Sequence, residues 1–369
     1  MQKEKKRSQK IRTVLLTVIL TLALASGACN LFSRTESTPE VVVEDPPVEV
    51  EPTPEEPAWT PELVFRLAHD EKVDSVAWSN DGTLFATGFF IQANIWNAED
   101  GSLVNEIEMK HSVEDIAFLP DDQTIATGVS LGGVNIYDVS TGEPVQEFHG
   151  GYDNFLALSP DGTLIATGNR SGLVWLWDVQ TGDQIVEINS EDYQDESPDY
   201  LRSLAFSPDG QVIAAGHFDG AVFLWDGSSY ALREALIPEN DYAKAWGLAF
   251  SPDSQYLAVG GARLEWEDVV AIYDMSEGVF IHLLEEYGRS GSMHAPVAFS
   301  PDGTLLAAGA TEGIYLWSVP DFELLHYLPI EDLEATDWVT DLAFSPDSQQ
   351  LIAGYWDSYA LVWQIQPSE

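Results

Sequence analysis

The sequence has 369 residues, of which 61 are acidic and 16 basic, so its formal net charge is −45. Phosphate backbones and anionic lipid surfaces repel such a chain, which excludes direct binding to nucleic acid. The single cysteine, Cys29, excludes an internal disulfide and a thiolate-based zinc site.

The first 28 residues have the pattern of an export signal. Six basic residues precede an apolar run from Val14 to Ala25, and three small residues then lead to Cys29. The run is too short to span the ~30 Å hydrocarbon core of a bilayer comfortably. The position of the cysteine resembles the cleavage site of bacterial lipoproteins, with Ser26 where that family usually has leucine. The resemblance implies a signal peptide at 1–28 and an acylated Cys29. An ordinary secretory signal with an incidental cysteine and a retained helix are the alternatives.

A linker is predicted at 29–61, because proline, acidic residues and valine alternate from Thr38 to Pro57. Proline favours extended polyproline II and like charges repel one another, so this segment should be a stiffened, solvated spacer. Without residues 1–28 the chain keeps ten basic and sixty acidic residues, a net charge of −50. The lipid, and not charge, would therefore hold the protein on the extracytoplasmic side of a bacterial membrane.

Seven copies of one turn dominate the chain after residue 62. The phrase Ser-Pro-Asp-Gly, or a variant of it, recurs with spacings of 40 to 49 residues. Serine can bond the backbone, proline presets φ, aspartate suits the third position, and glycine releases the chain into the next strand. Apolar runs flank the turns without clean alternation, which predicts hairpins of strands buried on both faces.

Each repeat continues with a third strand that ends in an aromatic residue, and a second turn leads to a shorter fourth strand. Four strands per ~40–45 residues is the period of a propeller blade. No segment shows sustained 3.6-residue periodicity, so no helices are expected. The third-strand aromatics are Trp96, Tyr137, Trp177, Trp225, Tyr273, Trp317 and Trp363.

The third strands at 173–178 and 222–226, each preceded by a Ser-Pro-Asp-Gly turn, resemble those of WD40 repeats. The resemblance covers 62–366 and implies an all-β, seven-bladed β-propeller of four-stranded blades that binds other molecules and is not an enzyme. The family's hydrogen-bonded set is His, Ser or Thr, Asp and Trp, and no repeat clearly has all four. His149, Thr167 and Trp177 supply three of them in one repeat, with Ser171 where Asp is expected.

The register of the repeats predicts how the ring closes. Residues 63–67 occupy the phase of a fourth strand, ahead of the first complete repeat, and the last repeat stops after its third strand at 361–365. Pairing these two segments would remove two exposed strand edges at once. The N-terminal strand is therefore expected to complete the last blade.

The sequence shows no constellation for catalysis, metal binding or cofactor binding. Its seven histidines lack ligand spacing, and His69, His111 and His149 share one repeat phase that favours structural hydrogen bonding. Nucleophile-elbow, phosphate-loop and dinucleotide motifs are missing. The acidic segment 191–199 lacks the EF-hand pattern, so it is interpreted as a solvated loop, with a calcium site as the alternative.

Candidate binding residues follow from aligning the repeats near the first strands. In the resembled family the loops that enter first strands share the face most used for partners, and most insertions in this chain fall there. One aligned position comprises Asp74, Glu114, Asn154, Arg202, Trp246, Ala295 and Thr340. The position two residues earlier comprises Lys72, Ser112, Tyr152, Tyr200, Lys244, Met293 and Trp338. Residues two apart in a regular strand share a face, so the two sets should ring the channel mouth.

Aromatic residues, methionine and arginine are enriched at interface cores, and these residue types select the predicted partner-binding set. The alternative is that they pack between blades. The set comprises Tyr152, Tyr200, Arg202, Trp246, Met293, Trp338 and Trp356.

The leading hypothesis is a monomeric, non-enzymatic scaffold that binds a protein or peptide partner at one propeller face. Acidic loops surround the predicted site, so the partner should be basic or neutral. A glycan- or cell-wall-binding propeller is the alternative, because tryptophan-rich faces also stack sugars. A propeller enzyme is the third hypothesis.

Overall fold

A computed structural model describes residues 59–130, 133–148, 155–169, 171–189, 201–236, 244–262, 268–284, 295–311, 313–330 and 338–365. The predicted signal peptide, Cys29 and the linker up to residue 58 lie outside these ranges. The described residues form 28 β-strands and no α-helix. None of them therefore belongs to a helix long and apolar enough to cross a bilayer.

The strands form seven antiparallel four-stranded sheets, which are the blades of a seven-bladed β-propeller. This confirms the fold expected from the repeats. Blade 1 contains β2 (Ser75–Trp78), β3 (Leu84–Phe89), β4 (Gln92–Asn97) and β5 (Leu103–Glu108). Blade 2 contains β6 (Val113–Phe118), β7 (Thr124–Val129), β8 (Gly133–Asp138) and β9 (Pro144–Phe148). Blade 3 contains β10 (Phe155–Leu158), β11 (Leu164–Gly168), β12 (Leu173–Asp178) and β13 (Gln184–Asn189).

The remaining blades follow the same order from inner to outer strand. Blade 4 contains β14 (Leu201–Phe206), β15 (Val212–His217), β16 (Val222–Asp226) and β17 (Leu232–Leu236). Blade 5 contains β18 (Gly247–Phe250), β19 (Tyr256–Ala262), β20 (Asp268–Asp274) and β21 (Val279–Leu284). Blade 6 contains β22 (Val297–Phe299), β23 (Leu305–Gly309), β24 (Gly313–Ser318) and β25 (Leu324–Pro329). Blade 7 contains β26 (Val339–Phe344), β27 (Gln350–Tyr355), β28 (Tyr359–Gln364) and β1 (Glu62–Ala68).

The N-terminal strand completes the last blade, as the register predicted. β1 runs antiparallel to β28, with Glu62 opposite Gln364 and Ala68 opposite Tyr359. Leu67 of β1 is buried in an apolar cluster with Phe85 of blade 1 and Val362 of blade 7. One strand therefore closes the ring and also seals the core between the last and first blades.

The recurring turn joins the first and second strands and defines one face of the ring, called here the turn face. In six blades the serine hydroxyl donates to the aspartate two residues later, over 2.5–2.9 Å. The same oxygen accepts the backbone N–H of the residue five positions later, at 2.9 Å. The opposite face, where first strands begin, is called the entry face.

The fourth turn position adopts a left-handed backbone, with φ between 53° and 73° in all seven turns. Glycine takes this conformation without strain, whereas Asp122, Ser254 and Ser348 occupy it in blades 2, 5 and 7. Each of these three side chains accepts a backbone N–H from the turn of the preceding blade, over 2.6–3.1 Å. The non-glycine residues therefore tie neighbouring turns together.

Blade 1 contains three of the four groups of the WD40 hydrogen-bonded set. Trp96 Nε1 donates to Thr87 Oγ1 at 2.9 Å, and His69 Nε2 lies 2.9 Å from the same oxygen. Burial lowers the pKa of His69 to about 4, so the ring is neutral at neutral pH. In blade 3, Trp177 donates to Thr167 in the same way, and His149 lies outside the described residues. The structural role expected for His69 is thus visible in its contacts.

Candidate binding site at the channel entry

A cavity of about 570 Å³ opens where the first strands begin, and residues from all seven blades line it. Each described member of the aligned position that starts with Asp74 contributes to its wall. In a propeller the first strands surround the central channel, so the cavity occupies the channel at its entry face. The residues at this aligned position therefore form a ring around one cavity. These residues are Asp74, Glu114, Arg202, Trp246, Ala295 and Thr340.

β-Bulges place three of these side chains, and the regular alternation expected from the sequence does not hold there. The ladder between first and second strands skips one residue in three blades, and that residue is Glu114, Arg202 or Thr340. A bulge leaves the extra residue unpaired and re-aims its side chain. Neighbours such as Arg202 and Ser203 therefore both line the cavity, whereas in a regular strand they would point to opposite faces.

One wall of the cavity is acidic and lies on blades 7, 1 and 2. Asp341 Oδ2 accepts the N–H of Val76 and the hydroxyl of Ser75, both at 2.8 Å. Ser75 Oγ in turn accepts the N–H of Ile116 at 3.1 Å. Each contact joins a side chain of one blade to the next blade around the ring.

The last link of this chain belongs to Asp115, whose Oδ2 accepts the N–H of Leu156 in blade 3 at 3.0 Å. The name latch is used here for Ser75, Asp115 and Asp341 together. Burial raises the pKa of Asp115 to about 7, with a further contribution from the Asp341 charge, and burial raises the pKa of Asp341 to about 6. Both carboxyl groups are engaged by backbone N–H groups, so the latch holds blades 7, 1, 2 and 3 together.

A cation lies against an aromatic pair beside the acidic wall. The rings of Trp338 and Trp356 are 5.0 Å apart, and Lys72 Nζ lies 4.5 Å from the centroid of the Trp356 ring. The same ammonium forms an ion pair with the carboxylate of Asp74. Burial raises the pKa of Asp74, and Lys72 opposes that rise.

A second group of cations and rings lies on blades 4 and 5. Lys244 Nζ lies 4.4 Å from the ring centroid of Trp246 and 5.0 Å from that of Phe218. The guanidinium of Arg202 lies 5.3 Å from the same Phe218 ring. Burial lowers the pKa of Lys244, and the nearby Arg202 charge lowers it further. Two of the six basic side chains among the described residues therefore lie on blades 4 and 5 beside the cavity.

The structure brings together part of the residue set predicted from sequence. Arg202, Trp246 and Trp356 line the cavity, and Trp338 adjoins it through Trp356. Trp246 is only 9% exposed and packs against Ala295 and Phe218, so it also has the packing role given as the alternative. The other members, Tyr152, Tyr200 and Met293, lie outside the described residues.

Sequence reasoning missed several residues of the site. Asp115 and Asp341 follow the aligned position by one residue, and strand alternation predicts that such neighbours point to opposite faces. Phe218 lies between second and third strands, and no repeat pattern marks it. Among the described residues, no group of three or more His, Cys, Asp or Glu side chains is arranged to hold a metal ion.

Comparison with known proteins agrees with the propeller. The WD domain, G-beta repeat family model matches residues 60–104, 142–178, 193–226 and 328–364. The chain is 28% identical over 148 residues to the small ribosomal subunit protein RACK1 of Glycine max, covering 36% of this chain and 42% of that protein. It is 32% identical over 136 residues to the human apoptotic protease-activating factor 1, covering 36% of this chain and 10% of that one.

The match to the small ribosomal subunit protein RACK1 of Candida albicans has 30% identity over 146 residues, covering 37% of this chain and 42% of that protein. The chain thus spans less than half the length of each of these relatives. The protein is a seven-bladed β-propeller with a lined cavity at one channel mouth. It contains WD40 repeats, and these matches support a place in the WD40 family.

Proposed function

We propose that this protein is a WD40-family interaction scaffold, without enzymatic activity, that binds a protein or peptide partner at the entry face. The observation that carries the proposal is the cavity, whose wall combines aromatic rings with charged groups from several blades. Aromatic and arginine side chains supply most of the binding energy at interfaces. The buried carboxylates of the latch bind backbone N–H groups of the next blade, which favours a structural role for them over a catalytic one.

The proposal includes an anchor, an acylated Cys29 that holds the protein on the extracytoplasmic side of a bacterial membrane. Its support is the sequence before Cys29, in which six basic residues, an apolar run and three small residues follow one another. As a fourth strand, β1 starts at the turn face, where Glu62 pairs with the end of β28. The described chain therefore enters the propeller at the face opposite the cavity.

Site-specific photo-crosslinking in membranes tests the binding function. A crosslinking residue in place of Glu114, on the cavity wall, should capture a discrete partner. The same residue in place of Val145, which is 59% exposed on the outer strand of blade 2, is the matched control and should not capture it. Equal capture at both positions would contradict the proposed face.

Side-chain truncation then asks whether the captured partner depends on the aromatic rings. Trp246→Ala combined with Trp338→Ala should abolish the crosslink, and Trp356→Ala alone should weaken it. Tyr327→Ala, on the outer strand of blade 6, removes an exposed aromatic ring elsewhere and should leave the crosslink intact. Circular dichroism of each variant shows whether it folds. Glycan-array binding that is lost in the same cavity variants would replace the peptide partner with a sugar.

A further inference from the structure

The outer strands of blades 5 and 6 differ from the other five outer strands because they carry no charge. Each outer strand is the last strand of its sheet, and native proteins commonly protect such edges with charged side chains. β21 and β25 contain no acidic residue, lysine or arginine. Each of the other five contains at least one: Glu62 and Arg66 in β1, Glu106 and Glu108 in β5, Glu147 in β9, Glu187 in β13, and Arg233 and Glu234 in β17.

Apolar side chains are exposed along these two uncharged strands. In β21 the first four residues, Val279 to His282, are all exposed, whereas no other outer strand has more than two exposed residues in succession. Five of the eleven large apolar side chains that are exposed among the described residues lie on β21 and β25. The name rim patch is used here for these five, which are 39–56% exposed: Val279, Phe280, Ile281, Leu324 and Tyr327.

A contact between the two blades joins the parts of the rim patch. The ring of His282 in β21 stacks on that of Phe322, with centroids 5.9 Å apart, and Phe322 lies two residues before β25. Phe322 is 7% exposed and belongs to an apolar cluster that contains residues of blades 5 and 6. The rim patch therefore extends over two neighbouring blades that pack directly against each other.

A β-bulge near the start of every outer strand limits how a partner can bind there. In β21 the ladder skips Ile281, and Val145 occupies the same place in β9. Such bulges interrupt the ladder and oppose the addition of a further strand to a sheet edge. A partner of the rim patch therefore packs against its side chains and does not extend the sheet.

Charge favours a second copy of this chain as that partner. Two chains with a net charge of −45 repel one another, and each of the seven recurring turns places an aspartate at the turn face. Contact through the turn face, β5, β9 or β13 would therefore bring carboxylates of both copies together. A two-fold contact through the rim patch sets apolar side chains against the same apolar side chains. The carboxylates that border it are exposed, as at the rim of an interface: Glu277, Asp321 and Glu323.

We infer that two copies of this chain pair through their rim patches in a two-fold symmetric contact. The outer strands of blades 5 and 6 of one copy pack against those of the other, and burial of the apolar side chains drives the association. The contact lies on the rim, so the cavity at the channel entry of each copy stays open. This goes beyond the proposed function, because it assembles two scaffolds, each with its own binding cavity.

Sedimentation equilibrium of the full-length protein, with detergent micelles in excess over protein, measures the pairing. The unmodified chain should show a reversible equilibrium between monomer and dimer. Ile281→Glu should weaken the dimer by at least about tenfold, because the symmetric contact then has to bury two added carboxylates. Val145→Glu, at the same bulge position of blade 2, is the matched control and should leave the dissociation constant unchanged. Added salt should strengthen the dimer, because it screens the repulsion between the two acidic chains.

Both variants should fold, because Arg233 occupies the same bulge position in blade 4, and circular dichroism checks this. Photo-crosslinking gives a second measurement that adds no charge. A crosslinking residue in place of Phe280 should join two copies of the purified protein, and the same residue in place of Val145 should not.

A monomer at about 100 μM, which is the state expected from the sequence, would overturn the inference. So would equal effects of Ile281→Glu and Val145→Glu on the dissociation constant, or equal crosslinking from positions 280 and 145. In phosphatidylcholine vesicles, a crosslink from position 280 to lipid in place of a second copy would assign the rim patch to the bilayer and would overturn it as well.

Discussion

At the scale of single residues, the latch shows how one hydroxyl can serve two carboxyl groups. Ser75 Oγ lies 2.8 Å from Asp341 and 3.3 Å from Asp115, and it has one proton to donate. Since both carboxyl groups are buried, their neutral forms are favoured and their pKa values rise. The latch is therefore a set of inter-blade contacts whose strength depends on pH.

The contribution of Asp115 to folding stability changes with pH in a definite direction. The pKa of Asp115 rises from 3.8 to about 7 in the folded protein, so the native state binds this proton more tightly than the unfolded chain. Its contribution to stability is complete below pH ~4 and is lost as the pH rises through about 7. We expect Asp115→Asn to lower the thermal midpoint at pH 5, because both carboxyl oxygens accept backbone N–H groups and the amide nitrogen of asparagine cannot accept one. This loss should shrink as the pH rises towards 7.5, because the unmodified protein then has to bury the charge of Asp115.

Differential scanning calorimetry across this pH range measures the effect as a difference between variant and unmodified protein. Asp100→Asn is the control, because Asp100 is exposed and hydrogen bonds to Ser102 lower its pKa. Its effect should not vary between pH 5 and 7.5. An effect of Asp115→Asn on the thermal midpoint that does not vary with pH would show that Asp115 does not titrate in this range.

At the scale of elements, Leu67 is the one residue of the closing strand β1 that is fully buried. This side chain is 8% exposed, whereas Val64 on the same strand is 40% exposed. We expect Leu67→Ala to cost about 2–4 kcal/mol of unfolding free energy, because it leaves a cavity between blades 7 and 1. Val64→Ala should change it by less than ~0.5 kcal/mol. Urea unfolding measures the unfolding free energy of both variants. Equally small losses for the two would mean that closure of the ring by β1 does not limit stability.

The sequence predicted the elements well, because each blade repeats the same local chemistry. Turn residues, flanking apolar runs and third-strand aromatics marked the strands, and the phase of residues 63–67 predicted the closure that β1 makes. The β-bulges could not be predicted from the sequence, because Glu114, Arg202 and Thr340 share no residue type that would mark an unpaired position. The inter-blade hydrogen bonds of Asp122, Ser254 and Ser348 could not be predicted either. These residues replace the glycine of the turn pattern, and the sequence does not show that their side chains contact the preceding blade.

The candidate site was predictable only in outline for the same reason. Repeat alignment located the ring of cavity residues, because equivalent positions in a symmetric array meet around its axis. It did not reveal which charged side chains come together at the cavity, because these residues differ from one repeat to the next. Predicting which of these side chains meet would require the number of blades and the way the ring closes.

At the scale of the whole molecule, the proposed anchor predicts where the protein partitions. Detergent phase separation of cell extracts should place the unmodified protein in the detergent phase, since a diacylated cysteine is hydrophobic and the remainder of the chain is strongly acidic. Cys29→Ala should move the protein to the aqueous phase or leave its signal peptide uncleaved. The variant Ser26→Leu, which restores the residue usual in lipoproteins, is the matched control and should stay in the detergent phase. Unchanged partitioning of Cys29→Ala with the signal peptide cleaved would exclude the acyl anchor.

The direction of β1 also determines how the propeller responds to mechanical load. Tension applied to Glu62 along the axis of β1 acts parallel to β28 and not sideways away from it. The ladder bonds of an antiparallel pair lie across the strands, so such tension shears all six registered residue pairs together and does not peel them apart singly. The strand that closes the ring is thus loaded in its most resistant geometry.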